Sequence, residues 1–157
     1  MELTGMAGTA SNDVWAVGVD LGAEQTPTAL HWDGTTWDAT AVAPGATSEL
    51  LSQVWAGGTS DVWAVGGGLL SIIVHWDGNS WSVVPSGNVN LQSLFGIWGS
   101  GPADVWAVGA GGGIVHYDGS TWCPVTSPTT KYLSAVWGDA PNDVWAVGID
   151  GTILHFQ

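Results

Sequence analysis

The sequence predicts an all-β chain of four repeats, each of four short antiparallel strands, with the last repeat lacking its fourth strand. Three observations carry that prediction. The hexapeptide DVWAVG starts at Asp13, Asp61, Asp104 and Asp143. Spacing around it is fixed in places: a leucine (Leu3, Leu51, Leu94, Leu133) stands ten residues before each Asp, and Trp37, Trp81 and Trp122 stand six residues after His31, His75 and His116. Elsewhere it varies: Asp to His, with His155 the fourth, is 18, 14, 12 and 12 residues, and Trp to the next Leu is 14, 13 and 11. Fixed stretches are paired elements and variable ones are loops. No window offers the ten or so residues of 3.6 period that a helix needs.

Each element then follows in order. The first strand is LSQVWA, LFGIWG or LSAVWG, weaker in LTGMAG; the second is the VWAVG run. The third ends in ALHWDG, IVHWDG, IVHYDG or ILHF, and the fourth opens at the tryptophan of TTWDATAV, NSWSVV or STWCPV. These runs are short, rich in Val, Ile and Trp, and bounded by Gly, Pro, Asn and Asp. Asp33-Gly34, Asp77-Gly78 and Asp118-Gly119 mark the turn between third and fourth strands, since Gly accepts positive φ. Asn12-Asp13, Ser60-Asp61, Ala103-Asp104 and Asn142-Asp143 mark the first hairpin. Alternation places Trp15 and Val17 on one face of the second strand and Val14 and Ala16 on the other, so both faces are apolar and both should be covered. Four-stranded units covered on both faces by their neighbours are β-propeller blades. They run approximately 3–50, 51–93, 94–132 and 133–157 in a single region, with the twelve tryptophans as core material.

The order of these motifs resembles the bacterial DVWAVG-type propeller repeats of large secreted or surface proteins, and more distantly kelch and Asp-box propellers. The resemblance implies an extracellular or cell-surface setting. In the kelch phase it places the Leu-x-x-Val-Trp-Gly strand at the central axis and the Trp37, Trp81 and Trp122 strand outermost. It covers nearly the whole chain but is specific for fold only, because propellers host many unrelated tasks.

Composition narrows the function classes. One lysine, Lys131, and no arginine stand against 14 acids, for a net charge of −13. Phosphate binding needs a field of cations, so a nucleic-acid partner is excluded, and an anionic membrane surface with it. No apolar run of about 18 residues is present, so no membrane insertion is expected. Met1 and Glu2 lead into patterned sequence without a signal peptide. With the fourth repeat short of a strand, the expected assembly is a piece of a larger propeller or a homo-oligomer completed by another copy, through the free edge at 152–156. A self-closed four-bladed ring is the alternative.

Candidate chemistry is sparse. The four histidines sit at equivalent, diverging positions, which suits a hydrogen bond inside each blade better than a metal site needing three or four convergent ligands. Asp13, Asp61, Asp104, Asp143, Asp33, Asp77 and Asp118 belong to the repeat, and backbone N–H bonds at turns account for them. Asp20, Glu24, Glu49, Asp139 and Asp150 fall outside it. They are candidate Ca2+ ligands, but no spaced run of oxygen ligands accompanies them, so solvated loop acids and no cofactor are expected. Cys123 is expected to be a buried, inert thiol, and the runs Gly66–Gly68 and Gly111–Gly113 flexible turns. No catalytic residues are assigned. Length variation falls on one face, in segments 19–27, 44–49, 85–92 and 124–132, where a binding function would be grafted. The candidate binding residues are Asp20, Glu24, Glu49, Asn88, Asn90, Lys131, Tyr132 and Asp150. The sequence thus points to a non-enzymatic interaction scaffold with a protein or glycan partner, a lectin-like module being the alternative and a hydrolase a remoter one.

Overall fold

A computed structural model describes residues 1–22, 25–42, 50–86 and 91–157. Fifteen strands form four antiparallel sheets, each in sequence order. Blade one contains β1 (Glu2–Ala10), β2 (Asp13–Asp20), β3 (Thr26–Trp32) and β4 (Trp37–Thr40). Blade two contains β5 (Leu51–Gly58), β6 (Asp61–Gly67), β7 (Ser71–Trp76) and β8 (Trp81–Val83). Blade three contains β9 (Leu94–Gly101), β10 (Asp104–Gly109), β11 (Ile114–Tyr117) and β12 (Trp122–Pro124). Blade four has three strands, β13 (Leu133–Ala140), β14 (Asp143–Gly148) and β15 (Ile153–Phe156). The expected β-propeller architecture, with its incomplete fourth blade, is what the chain adopts.

Register is the same in every blade. The two tryptophans of the first hairpin face each other (Trp55 with Trp63, Trp98 with Trp106, Trp137 with Trp145), and the DVWAVG tryptophan lies across from the histidine of the third strand. The final glycine of DVWAVG has a steric cause. A Cβ on Gly18, Gly66, Gly109 or Gly148 would lie 1.9, 1.8, 2.2 or 2.0 Å from the carbonyl oxygen of Glu2, Leu50, Ser93 or Tyr132. Only a residue without a side chain lets the chain entering the first strand pass so close. The Asp-Gly turns behave as expected, with Gly34, Gly78 and Gly119 at φ of 98°, 94° and 92°.

The cores lie between blades rather than within them. Trp15, Val17 and Ala29 of blade one pack with Leu51, Val54, Val62, Ala64, Val74 and Trp81 of blade two. Trp63, Val65 and Ile73 of blade two repeat the arrangement on blade three, and Val108 and Ile114 repeat it on blade four. First strands line the inner side, β1 packing on β5, β5 on β9 and β9 on β13. Among the described residues no comparable packing joins β13 back to β1. The four blades form an open arc, and the self-closed ring is not the arrangement seen.

Two expectations need correction. Tryptophan is core material only inside the arc: Trp15, Trp63, Trp81 and Trp122 are buried, but Trp37, Trp137 and Trp145, all on the end blades, are exposed. Cys123 is exposed, because Trp122 takes the core side of the outermost strand and alternation turns the next residue to solvent. The glycine runs do lie in turns, and two of their positions demand glycine: a Cβ on Gly67 would lie 2.1 Å from the Leu70 oxygen, and one on Gly112 2.0 Å from the Thr129 oxygen.

Removing a ring that fills the space between two blades leaves a cavity, so Trp63→Ala should destabilise the fold by about 3–5 kcal/mol. Cys123→Ser, at an exposed site, should change stability by less than about 0.5 kcal/mol. Urea titration of the two variants checks the contrast. A loss under about 1 kcal/mol for Trp63→Ala would contradict the inter-blade core.

Candidate functional site

Alternating strand direction sends two kinds of connection to opposite faces. Turns from first to second and third to fourth strand emerge on one face and are nearly identical in every blade. Connections from second to third strand, and from blade to blade, emerge on the other and differ in length. The repeated acids and histidines belong to the first face, and the candidate binding residues to the second.

On the constant face each histidine meets the first residue of its blade's DVWAVG strand. The Nε2 to Oδ1 distances are 2.7 Å for His31 and Asp13, 2.8 Å for His75 and Asp61, 2.6 Å for His116 and Asp104, and 2.7 Å for His155 and Asp143. The same carboxylates accept the indole N–H of Trp63, Trp106 and Trp145 at 2.9–3.0 Å. The imidazole packs against that tryptophan, with ring centroids 3.8–4.4 Å apart in the four blades. The histidines thus make the blade-internal bond expected of them. The four DVWAVG aspartates differ from expectation: they accept from side chains rather than turn N–H groups.

Thr9 donates its hydroxyl to Asp13, and Ser100 does the same to Asp104. Burial opposes ionisation of Asp13, but hydrogen bonds from Thr9 and His31, with the charge of His31, outweigh it and hold the carboxyl below its ordinary range. Among the described residues no three His, Cys, Asp or Glu side chains gather as a metal-holding group.

Asp33, Asp77 and Asp118 behave as turn acids. Asp33 accepts the hydroxyl and N–H of Thr35, both at 2.7 Å, and the N–H of Thr36 at 2.9 Å. Asp77 accepts the N–H groups of Ser80 and Asn79 at 2.8 and 2.9 Å. Asp118 accepts from the N–H of Thr121 at 2.8 Å, and from the hydroxyl and N–H of Ser120 at 2.7 and 2.9 Å. These bonds favour the carboxylate, lowering Asp77 and bringing Asp33 and Asp118 to about 2.

On the variable face, Lys131 and Asp150 form an exposed ion pair, Nζ to Oδ2 2.6 Å. Asp150 adopts a φ of 55°, an uncommon left-handed conformation for a residue with a side chain. Tyr132, beside Lys131, is exposed with its ring centroid 6.1 Å from that of Phe95, and its carbonyl accepts the Ile149 N–H. Asp20 is exposed at the end of β2, where it accepts the Gly22 N–H at 3.3 Å. Glu24, Glu49, Asn88 and Asn90 lie outside the described residues.

The eight candidate residues left out apolar neighbours. Leu21, Leu69, Leu70 and Ile149 are exposed on connections of this side. The available signal was the pair Leu69-Leu70 directly after a glycine run, placed where a tight turn keeps side chains out of any core.

No family model matches the sequence, and comparison with curated proteins finds no match. Solved structures do resemble it. YCF48 bound to D1 peptide superposes with a TM-score of 0.71 at 21% identity over 99% of this chain and 49% of the other. YCF48 from Cyanidioschyzon merolae gives 0.72 at 18% identity, covering 99% and 51%. The computationally designed Ika4 protein gives 0.70 at 16% identity, covering 99% and 90%. The chain spans about half the length of the two YCF48 chains. At these identities the likeness establishes the β-propeller fold.

Asp33 and Asp118 have folded values of about 2 against an ordinary 3.8. A depressed carboxyl stabilises the fold above its unfolded pKa, and that contribution disappears as pH falls through the folded value. Thermal stability should therefore drop between about pH 4 and pH 2. The double variant Asp33→Asn, Asp118→Asn should lose part of that drop. Melting curves from pH 7 to 2 measure it, and an unchanged acid limb would show that these turns do not carry it.

Proposed function

We propose that this chain is a non-catalytic interaction scaffold, a propeller segment that receives parts of other proteins on its variable face in an extracellular or cell-surface setting. The observation that carries the proposal is Leu69, 94% exposed between β6 and β7, with Leu70, Leu21, Tyr132 and Ile149 also exposed on connections of that face. Single exposed apolar residues are ordinary, but several on the loops of one face of a rigid scaffold suit recognition. The net charge of −13 adds an attractive field for cationic segments and a repulsive one for phosphates. The favoured partner is thus a basic and apolar stretch of polypeptide.

Several points support the parts of this proposal. YCF48, which shares the fold, has been solved with D1 peptide bound, which favours a polypeptide as the ligand class. The non-catalytic part rests on the engagement of the repeated acids and histidines with one another and with turn N–H groups. The setting outside the cell rests on the likeness of the repeat to those of secreted and surface propellers. A glycan site would want an exposed aromatic ring beside unengaged Asp or Asn. The depression holding exposed Trp37 is instead lined by Leu3, Met6, Ala16 and Leu30, so we favour protein over glycan.

A displayed library of random peptides, selected against the full chain, tests this. Enriched peptides should combine Lys or Arg with apolar residues. Their affinity should fall at least about tenfold on the double substitution Leu69→Ser, Leu70→Ser, a change of about 1.4 kcal/mol, with the melting temperature unaltered. Selection without enrichment, or binding that survives the double substitution, would contradict the proposal.

A further inference from the structure

The two uncovered faces of the arc match each other, because the chain already makes the same junction three times. At the junction of blades one and two, Trp15, Val17 and Ala29 press onto a seat that includes Leu51, Val54, Ala64, Val74 and Trp81. The repeat register converts that seat, residue for residue, into Leu3, Met6, Ala16, Leu30 and Trp37 of blade one. Those five residues line one open apolar depression of about 420 Å³. Blade two's seat is buried, whereas Met6 in the equivalent place is 63% exposed.

The same register converts Trp15, Val17 and Ala29 into Trp145, Val147 and Ile153 of blade four. All three are exposed, Ile153 to 65%. The ring geometry is already in place on both sides. Trp15 packs at 5.1 Å from Trp76 and 5.3 Å from Trp81, while those two rings stand 5.9 Å apart at 51°. Trp32 and Trp37 form the corresponding pair on blade one, 5.8 Å apart at 42°. Trp145 is held by its own Asp143 and His155 as Trp63 and Trp106 are held by theirs.

A fourth match lies on the first strands. Trp55 covers Gly99 of the next blade and Trp98 covers Gly138, each ring lying within 3 Å of where a Cβ would be. Trp137, their equivalent, is 60% exposed. Gly8, the equivalent of Gly99 and Gly138, is exposed, and no tryptophan lies against it.

We propose that two copies of this chain join head to tail, blade four of each seated on blade one of the other, so that a two-fold pair closes one ring through two identical junctions. Within that pair Trp145 enters the Trp32–Trp37 pair, Val147 and Ile153 fill the depression of Leu3 and Met6, and Trp137 covers Gly8. A face and its complement on one subunit form a ring when the rotation closes, and apolar patches of this kind are seldom left bare on a monomer. The net charge of −13 on each copy opposes association, so the pair should tighten with salt.

Analytical ultracentrifugation of the full chain and two variants tests this, with far-UV circular dichroism to confirm that each is folded. Met6→Glu spoils the seat and Ile153→Glu the inserting face, and both substitute exposed side chains. The wild type should sediment at twice the chain mass, more completely at high salt. Each variant alone should be monomeric at concentrations at least a hundredfold above the wild-type midpoint. An equimolar mixture should recover dimers containing one of each, since one intact face still meets one intact seat. A wild-type monomer at high salt would overturn the proposal and leave the faces to further blades or another protein. Association blocked by only one variant would mean like-on-like pairing, and open-ended polymers would mean that the rotation does not close; either result also overturns it.

Discussion

The DVWAVG tryptophan is fixed by its own blade and buried by the next, and the arc depends on that division. Aspartate and histidine of the same blade hold the ring's orientation: Asp61 accepts the Trp63 N–H at 2.9 Å, and His75 stacks on it at 4.1 Å. The far side of the ring enters the neighbouring blade, meeting Trp122 edge-on at 5.4 Å. Anchoring pairs polar groups, Asp61 Oδ1 with Trp63 and His75, that would be costly to bury alone. Insertion uses a large aromatic area that only a neighbour can cover. A lone sheet of three or four short strands could do the first and not the second.

That constraint separates the two ends of the blades. The turn side must keep Asp, His and Trp in one register, so its turns repeat nearly unchanged and its acids are engaged with neighbours. The other side carries no such requirement. Its connections vary in length and display Leu21, Leu69, Leu70 and Tyr132 to solvent. A rigid end and a permissive end are what a binding scaffold needs, and here both follow from one repeated packing rule.

The fold was legible because repetition multiplies weak signals. One Leu-x-x-Val-Trp-Gly run is ambiguous, but three runs of this kind and a weaker fourth, all at fixed distance from DVWAVG, fix the strand order and the hairpins, while the inner position of the first strand came from the likeness to kelch repeats. That His31 bonds inside its own blade was legible too, whereas Asp13 was assigned to turn N–H groups and takes side-chain donors instead. What escaped depended on neighbours across space. Alternation alone assigns Trp37 and Trp81 the same burial, yet Trp81 has a blade lying on it and Trp37 has none. Cys123 is exposed through the same alternation that buries Trp122. The candidate binding residues did not include Leu69, which is exposed for want of any core within reach of its turn. The steric demand behind Gly66 is invisible in sequence because it comes from a carbonyl, not a side chain.

The central claim is that adjacent blades are held by direct coupling between their rings. A double-mutant cycle on Trp63 and Trp122, which face each other across the junction of blades two and three, tests it most directly. Unfolding free energies of the wild type, Trp63→Leu, Trp122→Leu and the double variant define the coupling. The account predicts that the double variant loses about 0.5–1.5 kcal/mol less than the sum of the single losses, the range expected of an edge-on aromatic pair, because each single variant already removes the contact. Additive losses would contradict it, showing that each ring serves its own blade and that contact between blades is incidental.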